Sequence, residues 1–154
     1  MDFVIRTSWV KRMLVGLGEV RNDRISLEIE RMVEYMSDTL FRKMDDDIIS
    51  VGFEIDSELG VDGYCTQDDQ FDYTIQLHSS LRGEELHRTI IHELVHVWQY
   101  VVGYLEQEHV DGLGPRMIWM GEDLTSEDYN NRPWEKQAHE IEDELYSKYV
   151  KKTA

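Results

Sequence analysis

Residues 71–105, FDYTIQLHSSLRGEELHRTIIHELVHVWQYVVGYL, decide the fold. Phe71, Tyr73, Ile75 and Leu77 alternate with Asp72, Thr74, Gln76 and His78. That period of two predicts a strand over 71–78 with one buried face. A long helix is predicted from about Glu84 to about Leu105. Its apolar stripe is Ile91, Leu94, Val95, Trp98, Val101, Val102 and Leu105. Within it stands His92-Glu93-Leu94-Val95-His96. Two histidines four apart on a helix lie about 40° apart around the axis, one turn above the other, so their imidazoles can converge on one ion. Zinc takes such nitrogens and keeps one position open in catalytic sites. Glu93 is turned by about 100° from His92. Its carboxylate therefore sits beside an ion rather than on it, where it can take a proton from water that the ion activates. The motif predicts His92 and His96 as metal ligands, Glu93 as general base and one Zn2+ per chain.

A third ligand has to come from elsewhere. Residues 132–145, RPWEKQAHEIEDEL, offer Glu135, His139 and Glu140. Pro133 is well placed to open a helix, and Trp134, Ala138, Ile141, Leu145 and Tyr149 form its apolar stripe. Glu135 and His139, four apart, share a face, whereas Glu140 lies on another. Ala138 leaves room for a close helix approach. Glu135 is the favoured ligand, with His139 as a supporting group. His109 and Tyr129, both read as loop residues, are candidates to donate a hydrogen bond to a tetrahedral oxyanion. His87, five before His92, is read as pointing elsewhere, and His78, at the end of a strand, as structural or exposed.

Upstream, Ile25, Ile29, Met32, Met36 and Leu40 give residues 24–44 the spacing of an amphipathic packing helix. Asp45–Asp47 lacks the alternating spacing and central glycine of a calcium loop, so it reads as a solvated turn. Residues 48–56, IISVGFEID, predict a strand, and Asp62-Gly63 marks a turn. Downstream, 106–116 reads as a loop, 116–120 as a short strand and 121–132 as polar turns.

Composition narrows the function. Sixteen Lys and Arg against 32 Asp and Glu give a net charge of −16, which repels phosphate backbones and argues against a nucleic-acid partner. The single cysteine, Cys65, excludes an internal disulfide and a multi-cysteine zinc ribbon. It reads as a small residue near a strand rather than a nucleophile. The apolar run in 9–20 is interrupted by Lys11 and Arg12 and is too short to span a bilayer. The expectation is a cytoplasmic protein of one domain over 1–154, with an N-terminal helical segment 1–47 and a catalytic core of about 48–150, and no membrane association.

The order of a strand, HELVH on a helix, and then Glu135-x-x-Ala138 on a second helix resembles the small zincin metallopeptidases. In the gluzincin branch and in ImmA/IrrE-type proteins, two motif histidines and a later glutamate in an E-x-x-A context bind zinc. The resemblance implies His92, His96 and Glu135 as ligands and Glu93 as base. The stretch from Trp119-x-Gly121 through Tyr129 to Arg132-Pro133-Trp134-Glu135 is also similar to small phage-encoded and SprT-like metallopeptidases. The likeness covers about residues 71–146. Gln99 stands where metzincins carry a glycine, which separates this chain from that branch. The implied fold is α+β and zincin-like: a short, mostly antiparallel sheet, the motif helix, and a C-terminal helix supplying the third ligand. The implied activity is hydrolysis of a protein or peptide substrate, which would pair with an edge strand, taken as 71–78. A non-catalytic zinc-binding interaction module derived from a peptidase fold is the alternative, and a small-molecule hydrolase is a third reading.

Overall fold

The strand read from the period-two pattern is β5 (Asp72–His78), and it lies inside a sheet rather than at its edge. The structure is a computed structural model that describes residues 4–5, 13–16, 23–44, 48–112 and 114–154. The acidic run Asp45–Asp47 and most of 9–20 lie outside the described residues. The elements preceding β5 are β1 (Val4–Ile5), β2 (Met13–Gly16), α1 (Asp23–Asp38), β3 (Ile49–Asp56) and β4 (Gly63–Asp69). The five strands form one sheet in the order β1-β2-β3-β5-β4. Pairs β2–β3 and β3–β5 are parallel, and β1–β2 and β4–β5 are antiparallel, so this sheet is mixed rather than mostly antiparallel. Segment 1–47 contributes two strands as well as a helix, and β2 joins β3 across the expected boundary at 47/48.

Side-chain alternation explains how the sheet packs. Ile49, Val51 and Phe53 of β3 and Tyr73, Ile75 and Leu77 of β5 are buried on one face. They share a core with Ile29, Met32 and Met36 of α1 and with Leu86, Ile90, Ile91 and Leu94 of α2 (Gly83–Val101). Phe71 does not belong to this face, because it occupies the β4–β5 turn with φ at 63°. The helix expected over 24–44 stops at Asp38. Ser37 and Thr39 bond back to the carbonyls of Val33 and Tyr35, and the chain curls so that Phe41 N–H reaches the Met36 carbonyl. Phe41 is buried through this turn, so apolar spacing continues beyond the helix itself.

The motif helix ends at Val101, four residues earlier than expected, because Gly103 takes a left-handed conformation (φ 85°). Leu105 then begins β6 (Leu105–Val110), which pairs antiparallel with β7 (Gly114–Trp119), followed by the short β8 (Glu122–Asp123). The expected loop over 106–116 is therefore largely a hairpin. The short strand expected over 116–120 is the second half of β7, while β6 is mostly polar after Leu105 and shows no hydrophobic alternation. A 3-10 turn (Tyr129–Asn131) leads into α3 (Pro133–Thr153), which starts at proline as expected and buries Trp134, Ala138 and Leu145. The whole is α+β. Among the described residues no helix is long and apolar enough to cross a membrane.

One long-range bond ties the ends of this fold together. The buried Tyr35 hydroxyl of α1 donates to the Leu145 carbonyl of α3 at 2.7 Å. Tyr35→Phe keeps the ring against Tyr149 and deletes only that bond. It is expected to cost about 0.5–1.5 kcal/mol, read as a lower urea midpoint with an unchanged slope. An unmoved midpoint would show that this tie contributes nothing.

Candidate metal centre

Helices α2 and α3 meet along a polar seam. On α2, Arg88, His92, His96 and Gln99 are spaced 4, 4 and 3 apart, one row on a helix face. On α3, Glu135, His139, Glu142 and Tyr146 form the matching row. The two rows run in opposite directions: Arg88 meets Glu142, Asp143 and Tyr146, His92 and His96 meet Glu135, and Gln99 meets Trp134 and Gln137. Ala138, fully buried, gives the helices the room to approach.

Three donor atoms converge at the centre of the seam. His92 Nε2 lies 3.0 Å from Glu135 Oε2, His96 Nε2 lies 3.2 Å from Glu135 Oε1, and the two Nε2 atoms are 3.2 Å apart. Around an ion with nitrogen and oxygen ligands at 2.0–2.2 Å, tetrahedral edges are roughly 3.3–3.6 Å. The observed triangle is slightly tighter, so a small outward movement of each side chain would admit the ion. The trio is thus able to hold a metal ion.

Electrostatics match that capacity. Burial opposes charge on His92, yet its contacts with Glu135 and Glu142 outweigh burial and lift its pKa to about 10. Burial also works to raise Glu135, but the hydrogen bonds from His92 and His96 hold its carboxyl well below the usual range. Glu93 is buried beside them. Burial pushes its carboxyl upward, against the pull of His96 and His92.

The groups behind the ligands differ from expectation. His96 Nδ1 lies 2.8 Å from Gln99 Oε1, and the Gln99 amide donates to the Trp134 carbonyl and to Gln137 Oε1, both at 2.9 Å. One fully buried glutamine thereby orients His96 and holds the first turn of α3, where Glu135 stands. His92 Nδ1 is 3.3 Å from Glu142 Oε1 but not aligned as a hydrogen bond, which leaves it a buried atom without a bonded partner. A slight rotation of Glu142 would complete that bond, and Arg88 anchors its other oxygen at 3.0 Å. Glu142 stands among Glu140, Asp143 and Glu144, so no local feature marks it in the sequence. Only its seven-residue spacing from Glu135, about 20° around the helix, sets it on the same face.

The remaining candidates separate clearly. His139, more than half exposed, stacks on His92 at 4.5 Å between ring centroids and sits at the mouth of the site. With His92 and Glu142 it makes a second, looser group of potential ligands. The Tyr129 hydroxyl is 3.4 Å from His139 Nε2. Burial and the neighbouring Glu135 raise its pKa. Glu140 is exposed on another face. His109 is exposed on β6 and does not line the cleft. His87 packs edge-on against Tyr149, and His78 contacts Ser80, as structural residues do.

The ligands open onto a cleft of about 640 Å³. Residues 61–66, in and before β4, form one wall, and Leu105, Gln107, Pro115 and Met117 of the β6–β7 hairpin form another. Strand β4 is an edge strand of the five-stranded sheet and borders the cleft. Both edges of β5 are occupied, by β3 and β4, so the expectation that 71–78 receives a substrate is overturned. Gly63 lets β4 press onto the motif helix: a Cβ there would lie 2.6 Å from Thr89 Cγ2 and 3.1 Å from Glu93 Cγ. Cys65 also lines the cleft, but burial, Glu93 and Asp68 push its thiol pKa well up, which suits a packing role rather than a nucleophile. The chain matches no family model, no curated protein and no solved structure.

The geometry sets an order of damage for metal binding. Glu135→Ala should lose the metal almost entirely. Glu142→Gln should weaken affinity about 10–100-fold, the usual range for a group that orients a ligand. His139→Ala should cost less than Glu142→Gln. Zinc competition titrations of the three purified variants measure the order. A variant lacking Glu135 that binds zinc like the wild type would exclude this centre.

Proposed function

We propose that the chain is a zinc-dependent metallopeptidase with a zincin-like arrangement of its α2–α3 pair. The observation that carries the proposal is the convergence of His92, His96 and Glu135 at the floor of an open cleft with Glu93 buried beside them. Two imidazoles and one carboxylate are a donor set that suits zinc. A purely structural zinc is closed by four protein ligands. Here three converge, and the site faces a cleft wide enough for a chain segment, which favours catalysis over a binding module.

Zinc in this position supplies Lewis acidity and lowers the pKa of water. The protein's own groups do the rest. Glu93 takes a proton from the attacking water and passes it to the nitrogen of the leaving amine, so one water adds across the peptide bond. Its burial keeps the carboxyl basic enough for that exchange. Gly63 keeps β4 close to Glu93, and the edge strand β4 offers backbone groups to an extended peptide. Tyr129 and His139, at the mouth, are placed to donate to the carbonyl oxygen as it gains charge.

Glu93→Gln tests the reading. It should retain zinc at one ion per chain and the wild-type circular dichroism. Its hydrolysis of denatured β-casein should fall about 10²–10⁴-fold, the typical cost of removing a general base. Cleavage at an undiminished rate would remove Glu93 from the mechanism, and zinc-independent cleavage by the wild type would reject the whole assignment.

A further inference from the structure

Arg132 stands out once the cleft charges are paired off. Glu135 is held by His92 and His96, and Glu142 by Arg88. Arg132 is the one lysine or arginine among the described residues that line the cleft. It is half-buried, and no acidic side chain among the described residues pairs with it, although the chain carries 32 acids against 16 bases. Its position is nonetheless fixed. The Nε atom donates to the Glu127 carbonyl at 3.1 Å, the guanidinium lies 5.8 Å from the centroid of the Trp134 ring, and its own carbonyl accepts from Glu135 and Lys136 at the start of α3.

Anchoring through Nε leaves the two Nη groups free. A planar guanidinium held in this way is preorganised for a carboxylate, which it binds through two parallel N–H···O bonds. Partial burial strengthens such a bond relative to open water. Three residues before the ligand Glu135, the cation stands on the cleft wall beside Tyr129, whose phenol it also influences electrostatically.

We propose that Arg132 is a specificity residue that binds a substrate carboxylate, so that the enzyme prefers peptides carrying an acidic side chain or a free C-terminus at one fixed position from the scissile bond. This rests on the metallopeptidase reading. A structural role for Arg132, pinning the segment before α3, would lower the cleavage of all substrates together. A carboxylate subsite would change the ratio between substrates.

The zinc-loaded full chain is first incubated with denatured β-casein, and its cleavage sites are mapped by mass spectrometry. Asp, Glu or a chain end should recur at one distance from the cut. Three peptides are then copied from a preferred site: one with Glu at that position and an amidated end, one with Gln and an amidated end, and one ending there in a free carboxylate. The first and third arms separate an acidic side chain from a C-terminus as the source of the carboxylate. In the wild type, kcat/KM for the better carboxylate peptide should exceed that of the Gln peptide by about 10–100-fold, the usual range for a hydrogen bond to a charged group. Arg132→Gln should abolish that ratio, and Arg132→Lys, which keeps charge without the fork, should leave an intermediate one. A ratio that survives Arg132→Gln, an equal loss on all three peptides, or a wild-type map without a recurrent carboxylate overturns the proposal. If Arg132→Gln loses its zinc, the ratio in Arg132→Lys decides. Absence of zinc-dependent casein cleavage by the wild type would instead bring down the metallopeptidase reading, and the subsite with it.

Discussion

The fold depends on the burial of a charged seam between α2 and α3. Taking isolated charges out of water costs several kcal/mol per ion, and here His92, His96, Glu93 and Glu135 are all buried or nearly so. The cost is tolerable because the seam is neutralised pair by pair. Glu135 faces two histidines, Glu142 faces Arg88, and Gln99 satisfies His96 and two groups of α3 without adding charge. Breaking any one pair strands its partner. The apolar positions flanking the seam, Ala138 and Leu145 on α3 and Ile91, Leu94 and Val95 on α2, hold the helices together while the polar row stays in register.

The seam also explains the walls of the cleft. Helix α2 is buried on nearly all sides, by the sheet, by α1 and by α3, so its histidines are carried on a helix packed into the core. Elements on both sides of the site are attached to that helix. Strand β4 is pressed onto it at Gly63, and β6 leaves its C-terminal turn. An open cleft between two walls that share one floor can admit an extended chain without disturbing the ligands. Glu135 is internally paired with His92 and His96, and Arg132 is the one lysine or arginine among the described residues that line the cleft.

Much of this was legible in the sequence, because the decisive patterns were local. The period of two in 72–78, the i, i+4 histidines and the proline at the start of α3 each report on their own element, and each element formed. The choice of Glu135 over His139, which shares its face, rests on the E-x-x-A resemblance and on the helix start fixed by Pro133, and the structure brings Glu135 to the two histidines. What the sequence hid was relational. Strand β4, GYCTQDD, is an edge strand with a polar outer face, so it shows no hydrophobic alternation, and its absence from the reading made β5 look like an edge. Strand β6 is hidden for the same reason, whereas the apolar end of β7 is legible as the short strand 116–120. Glu142 and Gln99 are ordinary helix residues until the opposite helix is in place. In the sequence Gln99 stands out only against the metzincin pattern, yet it is fully buried and joins the two helices.

The same seam would respond to pH in opposite ways without and with a bound ion. In the metal-free form His92 titrates above its ordinary value of 6.5, near 10. Its contribution to stability is therefore complete below about pH 6.5 and lost as pH rises toward 10. Glu135 titrates below its ordinary value of 4.5, so its contribution is complete above that value and lost as pH falls further. The pair works best between about pH 4.5 and 6.5, where both are charged. An ion needs the histidines neutral, so it must displace the proton that His92 holds, and its apparent affinity grows as pH rises. Protonation and metal therefore compete for one cavity, and the proton stabilises the empty site where metal binds least well. The charge that Glu135 requires would thus be supplied by a proton where no ion is bound and by the ion where one is.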